Sequence, residues 1–124
     1  MKISIGTDII EISRVKDAIE NIGNKFIEEI YTEKEIEYCE SKKNAKYQHY
    51  AARFAGKEAI YKAISNILEN KFAISWKDVQ ILNDINGRPY IDILNEKIKN
   101  QITQIDISIS HCKEYAVSTV IINY

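Results

Sequence analysis

The sequence predicts an α+β fold: a mainly antiparallel sheet of three to five strands, a long central helix and two or three further helices. Three observations carry that expectation. Ile105, Ile107 and Ile109 alternate with Asp106, Ser108 and Ser110, the period-two pattern of a half-buried strand. Ala52, Ala55, Ala59 and Ala63 fall on one helical stripe, which suits close backbone packing against a sheet or another helix. Two short apolar runs flank Asn83-Asp84-Ile85-Asn86-Gly87-Arg88-Pro89, whose Asn-Gly pair signals a hairpin turn.

Taken in order, Lys2 to Ile12 reads as a buried strand with Ile3, Ile5 and Ile9 on one face and Ser4, Gly6 and Asp8 on the other. Ser13 is the expected N-cap of a helix that runs through Ile22 and stops at Gly23. Thr32-Glu33-Lys34-Glu35 has the form of a capping box, opening a second helix that runs to about Ser41. The long helix spans roughly Lys46 to Leu68. Val79 to Leu82 and Tyr90 to Leu94 form the hairpin strands, and Asn95 to Gln101 a short helix. The last strand, Tyr115 to Ile122, pairs with Ile105–Ile109 across a tight His111-Cys112-Lys113-Glu114 connection; Val117 and Ile121 compete with Val120 and Ile122 for its buried face. A β-α-α-α-β-β-α-β-β order fits an α+β domain.

Composition narrows the function classes. At 124 residues, 1–124 is expected to be a single domain. With 45% hydrophobic and 28% charged residues the chain is ordinary globular material rather than disordered. Seventeen Lys+Arg against eighteen Asp+Glu leave a net charge of -1, which disfavours nucleic-acid binding by bulk charge. No apolar run is long enough to span a bilayer, and the first residues lack the apolar core of a signal peptide. Cys39 and Cys112 form no disulfide framework and are expected to be free thiols, so the chain reads as soluble and cytoplasmic.

Two places stand out chemically. Asp8 lies in an Ile-rich strand, where a desolvated carboxylate needs a cation or several donors; a strand-end cap that accepts backbone amides is the plainer alternative. The second is Arg53-Phe54-Ala55-Gly56-Lys57-Glu58-Ala59-Ile60-Tyr61-Lys62. At about 100° per residue, Glu58 and Lys62 share one edge of the helix and Arg53 and Lys57 another, which also describes two plain surface pairs. Gly56 argues for more, because mid-helix glycine costs about 1 kcal/mol relative to Ala and calls for a close-packing or ligand-approach reason. Two hard carboxylates among cations suit Mg²⁺ with phosphate. His49, His111, Cys39 and Cys112 lack zinc-ligand spacing, and neither cysteine is placed as a nucleophile.

In order along the chain, Gly6-x-Asp8-Ile9-x-x-x-x-Arg14, Phe54-x-x-Lys57-Glu58-Ala59 ending at Lys62, Gly87-Arg88-Pro89 and Ser108-Ile109-Ser110-His111 resemble the landmark motifs of the 4′-phosphopantetheinyl transferases. The short chain is similar to their compact branch, and the resemblance covers nearly its whole length. It implies a half-size transferase fold that moves the phosphopantetheine arm of coenzyme A onto a serine of apo acyl carrier protein, releasing adenosine 3′,5′-bisphosphate, in fatty-acid and lipid metabolism. By that resemblance Asp8 and Glu58 hold Mg²⁺. Lys62 contacts the same phosphates or helps remove the serine proton, for which Glu58 and a metal-bound water are the other acceptors. Arg53, Lys57 and His111 bind the CoA phosphates, while Gly87, Arg88, Pro89 and Ser110 line the adenine and ribose side.

The resemblance also implies that Arg14, with Ala18 and Ile22, meets the acidic carrier protein; here Asp17, Glu20, Glu28 and Glu29 dilute Arg14, Lys16 and Lys25. It further implies a homotrimer, each site at a subunit boundary, in keeping with strands apolar on both faces. Two other readings are a non-catalytic CoA- or nucleotide-binding module of the same fold and a purely structural α+β protein. The first is disfavoured because Asp8 and Glu58 are both present, the second because it leaves Asp8 and the Lys57/Glu58/Lys62 cluster without a role.

Overall fold

A computed structural model describes all residues, 1–124. The elements are β1 (Ile3–Glu11), α1 (Ile12–Ile22), α2 (Asn24–Ile30), α3 (Glu33–Glu40), α4 (Lys46–Ile64), β2 (Val79–Asn83), β3 (Pro89–Ile93), α5 (Glu96–Lys99), β4 (Gln104–His111) and β5 (Tyr115–Asn123). Short 3₁₀ turns precede and follow α4 and lead into β2. The class is α+β, as expected. The strands divide into two sheets rather than one: an antiparallel three-stranded sheet in the order β1-β5-β4 and the two-stranded hairpin β2-β3. No helix is long and apolar enough to cross a membrane.

Most local signals held. Thr32 and Glu35 form a reciprocal capping box that starts α3. Gly23 ends α1, its N–H donating to the Ile19 carbonyl. Gly87 sits at φ 84° in the β2-β3 turn, a conformation that disfavours a side chain. Two expectations failed. Ser13 is not the N-cap of α1; Glu11 holds that position without a side-chain bond. The Ile12 N–H instead donates to the Glu114 carbonyl at 2.9 Å, so a tertiary hydrogen bond does the work of a cap. The short helix α2 had no place in the sequence reading.

The second correction concerns β1. Ile3, Ile5 and Ile9 do not face the core: they are 66%, 64% and 64% exposed. The opposite face of β1, with Gly6 and Asp8, turns inward onto α4. Gly6 is the reason. A Cβ there would overlap the Ala59 carbonyl oxygen and lie 2.7 Å from the Ala63 amide nitrogen. The small-residue stripe of α4 meets a strand position without a side chain, and the two backbones approach closely. Gly56 works the same way on another side of α4, where a Cβ would collide with the Ile81 side chain. Its mid-helix cost is thus explained by packing.

Two apolar clusters flank this seam. Tyr50, Ala51 and Ala52 of α4 pack with α1, α2 and Tyr31, whose hydroxyl donates to the Tyr50 carbonyl at 2.8 Å. Ala59, Ile60, Ala63 and Ile64 pack with Val79, Ile81, Ile107 and the inward face of β5. That inward face is Ala116, Ser118, Val120 and Ile122, which settles the competition on the last strand. Gly6→Ala is expected to destabilise the protein by about 1–3 kcal/mol or more through overpacking. A urea melt checks this; an unchanged midpoint contradicts the close approach.

Candidate active site

Asp8 enters the interior because β1 pairs in register with β5, Asp8 opposite Ser118, and presents its inward face to α4. Its side chain is only 18% exposed, so the carboxylate has lost most of its water and requires compensation. Lys62 supplies part of it, donating from Nζ to Asp8 Oδ1 at 3.2 Å and to the Thr7 carbonyl at 2.9 Å. Glu58 lies one turn earlier on α4, half-buried on the same edge. Burial, and then repulsion from Asp8, raise its carboxyl above the usual range, with Lys62 opposing. Asp8, Glu58 and Lys62 are thus brought together from β1 and α4, the arrangement that the family resemblance implies.

The donor set fits a hard cation. Two crowded carboxylates share one lysine, leaving a surplus of negative charge that a divalent ion would neutralise. They form a pair rather than a cage of three or more acidic, His or Cys side chains. Mg²⁺ suits such a pair, since it takes one or two protein carboxylates and completes its shell with water and phosphate oxygens. Beside Glu58 opens a recess of about 240 Å³, walled chiefly by Ile60, Tyr61, Ile74, Trp76 and Val79, with Lys57 and Lys71 also on its lining. Sequence reasoning missed this recess. Trp76, the single tryptophan, was its available signal, yet nothing local ties Trp76 to Glu58.

The expected phosphate ligands are distributed differently. Lys57 is buried, its ammonium 1% exposed, and all three of its donors are taken: Glu35 Oε1 at 2.7 Å, the Ile30 carbonyl at 2.7 Å and the Trp76 carbonyl at 2.9 Å. The expectation that Lys57 binds a CoA phosphate is therefore corrected, because no N–H remains to donate. Burial pulls its pKa down and Glu35 pulls it back.

Arg53 is also buried. It donates to Asn83 Oδ1 at 2.6 Å and lies over the Tyr38 ring, while its Nε has no partner. Near it are His49 and His111, with ring centroids 6.3 Å apart. Burial and the neighbouring Arg53, Lys42 and His111 push His49 down to about 4. No hydrogen bond or ion pair connects Arg53, His49 or His111 to Asp8, Glu58 or Lys62.

Ser110 is exposed near the end of β4. Gly87, Arg88 and Pro89 lie at the hairpin turn, where Arg88 pairs with Asp106 at 3.2 Å in the open. On α1, Arg14 and Ile22 are exposed and Ala18 half-buried, one stripe at four-residue spacing. Cys39 and Cys112 are free; burial pushes the Cys39 thiol up to about 12, which keeps it protonated.

A sequence model of the 4′-phosphopantetheinyl transferase superfamily matches residues 4–120. The chain belongs to that superfamily. It is 47% identical over 128 aligned positions to a holo-[acyl-carrier-protein] synthase of Ruminiclostridium cellulolyticum, covering 99% of this chain and 93% of the relative. A holo-[acyl-carrier-protein] synthase of Chlamydia pneumoniae is 41% identical over 119 positions, 96% of this chain and 95% of the relative. Among solved structures, the Helicobacter pylori synthase in complex with coenzyme A superposes with a TM-score of 0.83 at 30% identity, covering 96% of this chain and 99% of that one. The Bacillus anthracis synthase in complex with CoA (3′,5′-ADP) gives 0.76 at 34% identity, over 96% and 94% of the two chains.

In this transferase the raised Glu58 carboxyl has a consequence for pH. Its folded-state pKa lies above the unfolded one, so the folded protein holds the proton more tightly. Its contribution to stability is present at low pH and is lost as pH rises through the folded pKa. Asp8→Asn removes the repulsion but not the burial. The Glu58 pKa, followed by NMR titration, is expected to fall part of the way toward that of an ordinary glutamate; no movement contradicts the pairing of the two carboxylates.

Proposed function

We propose that Asp8, Glu58 and Lys62 carry out the superfamily's reaction in this chain: transfer of the 4′-phosphopantetheine arm of coenzyme A to a serine of apo acyl carrier protein. The observation that carries the reading is the convergence of two mutually repelling carboxylates and one lysine beside an apolar recess. The serine oxygen forms a bond to phosphorus, the pyrophosphate bond breaks, and adenosine 3′,5′-bisphosphate leaves. Asp8 and Glu58 would hold Mg²⁺, which when bound supplies charge neutralisation at the pyrophosphate. Lys62, anchored by Asp8 and the Thr7 carbonyl, is placed to meet the same phosphates. The recess beside Glu58 would accept the thin pantetheine arm, its apolar walls packing against the arm's methyl and methylene groups.

Arg53 and His111, separated from Asp8 in the protomer and joined by His49, are proposed as a phosphate-binding group for the nucleotide end of CoA, with Ser110 and Gly87, Arg88 and Pro89 on the adenine side. A second copy would bring such a group to the carboxylates of the first. The outward face of the three-stranded sheet supports that assembly: Ile3, Ile5 and Ile9, with Ile121 at 43% exposure, form an uncovered apolar surface. We therefore read the working unit as a homotrimer in the cytoplasm, with each site completed across a boundary. Arg14, Ala18 and Ile22 form the face of α1 offered to the carrier protein, a few cations being supplemented by apolar contact.

Incubating the protein with CoA, Mg²⁺ and an apo carrier is expected to add the phosphopantetheine mass to the carrier. Glu58→Gln should remove most of that gain while leaving the melting curve intact; near-normal turnover at millimolar Mg²⁺ overturns the metal assignment. Light scattering should report three copies per particle, and a fully active monomer at assay concentration overturns the shared site.

A further inference from the structure

The most buried charges in the protein are not at the carboxylate pair. Lys57 and Glu35 face each other at 2.7 Å with side chains 1% and 0% exposed. A buried ion pair sacrifices hydration on both partners and is a weak stabiliser by itself, so its retention invites another explanation.

Its geometry supplies one. Glu35 Oε1 also accepts the Thr32 N–H at 2.9 Å, and Oε2 accepts the Ile81 N–H of β2 at 2.9 Å. Lys57 adds the Ile30 carbonyl at the end of α2 and the Trp76 carbonyl in the 3₁₀ turn before β2. Five segments, α2, α3, α4, the 3₁₀ turn and β2, are thus tied through two side chains. The polar demands of Lys57 Nζ and of both Glu35 carboxylate oxygens are met inside the protein.

Lys57 precedes Glu58 directly, and Trp76 forms the wall of the recess across from α4. The Lys57–Trp76 hydrogen bond therefore runs between the helix that carries Glu58 and the segment that faces it. The Trp76 indole stacks on Phe54, with ring centroids 5.2 Å apart. From this arrangement we infer that Lys57 is a positioning residue: paired with Glu35 and with every donor of its ammonium committed inside the protein, it fixes the Trp76 wall relative to Glu58 and so sets the fit of the pantetheine arm without donating a hydrogen bond to CoA. The inference rests on the recess being the arm's site.

Trp76 is the single tryptophan, so its fluorescence reads the wall directly. The test titrates wild type and Lys57→Met with two probes, CoA and adenosine 3′,5′-bisphosphate, which lacks the arm. In wild type, CoA is expected to change Trp76 emission and adenosine 3′,5′-bisphosphate to change it little. In Lys57→Met, CoA affinity should fall about 10-fold, which is about 1.4 kcal/mol, while adenosine 3′,5′-bisphosphate affinity stays within about twofold.

A general loss of structure would weaken both probes together, and that result overturns the inference, as does unchanged CoA affinity. If CoA leaves wild-type Trp76 emission unmoved, the recess reading fails and takes the inference with it. Lys57→Met strands the Glu35 charge; should it not fold, Lys57→Met/Glu35→Gln removes both charges and is held to the same two outcomes.

Discussion

The absence of a side chain at Gly6 governs the arrangement of everything around the site. It lets β1 settle against the Ala59–Ala63 backbone of α4 without a Cβ between them. That contact decides which face of β1 is inward, and therefore that Asp8 is inward too. Once Asp8 is inside, its lost hydration must be offset, and Lys62, one turn beyond Glu58, is the group that α4 offers. The carboxylate pair is a consequence of a backbone approach, not of an attraction between its members, which repel each other. Preorganised repulsion of this kind is what a cation-binding site requires, because the binding of charge relieves it.

Helix α4 carries charge on several sides, and each side meets a different dielectric. Glu58 and Lys62 lie half in water, where a ligand can displace solvent and reach them. Lys57 lies in the interior, where its ammonium is committed to fixed acceptors. Arg53, four residues earlier, is buried against Tyr38 and Asn83 and adjoins His49. One helix thus presents the cations Arg53, Lys57 and Lys62 in three different surroundings. Exposure, not chemistry, separates their roles.

The same strand that brings Asp8 inward turns isoleucines outward. In a protomer alone, Ile3, Ile5 and Ile9 are an unfavourable surface on an edge strand, since β1 has β5 as its one neighbour in the sheet. The strand's two demands are linked: any register that buried the isoleucines would expel Asp8, because a shift by one residue exchanges the faces. A surface of this kind is compatible with a protein that completes itself against further copies.

The sequence by itself determined the order of the strands and of every helix except α2, the Thr32–Glu35 cap, the Asn86-Gly87 hairpin, the alanine stripe and the candidacy of Asp8, Glu58 and Lys62. These signals are local: capping, turn chemistry and helical spacing act within a few residues, and motif spacing survives without knowledge of the fold. What it did not determine was the facing of β1, the division into two sheets, the cap of α1 by Glu114 and the burial of Lys57 on Glu35. Alternation assigns two faces to a strand but not which one is covered; hydrophobicity favoured the isoleucines, and the Gly6–Ala59 contact overrode it. Helical spacing likewise placed Lys57 on an edge but could not say that α2, α3 and β2 close over that edge. Those outcomes depend on contacts between residues far apart in the chain, and only the tertiary structure sets them.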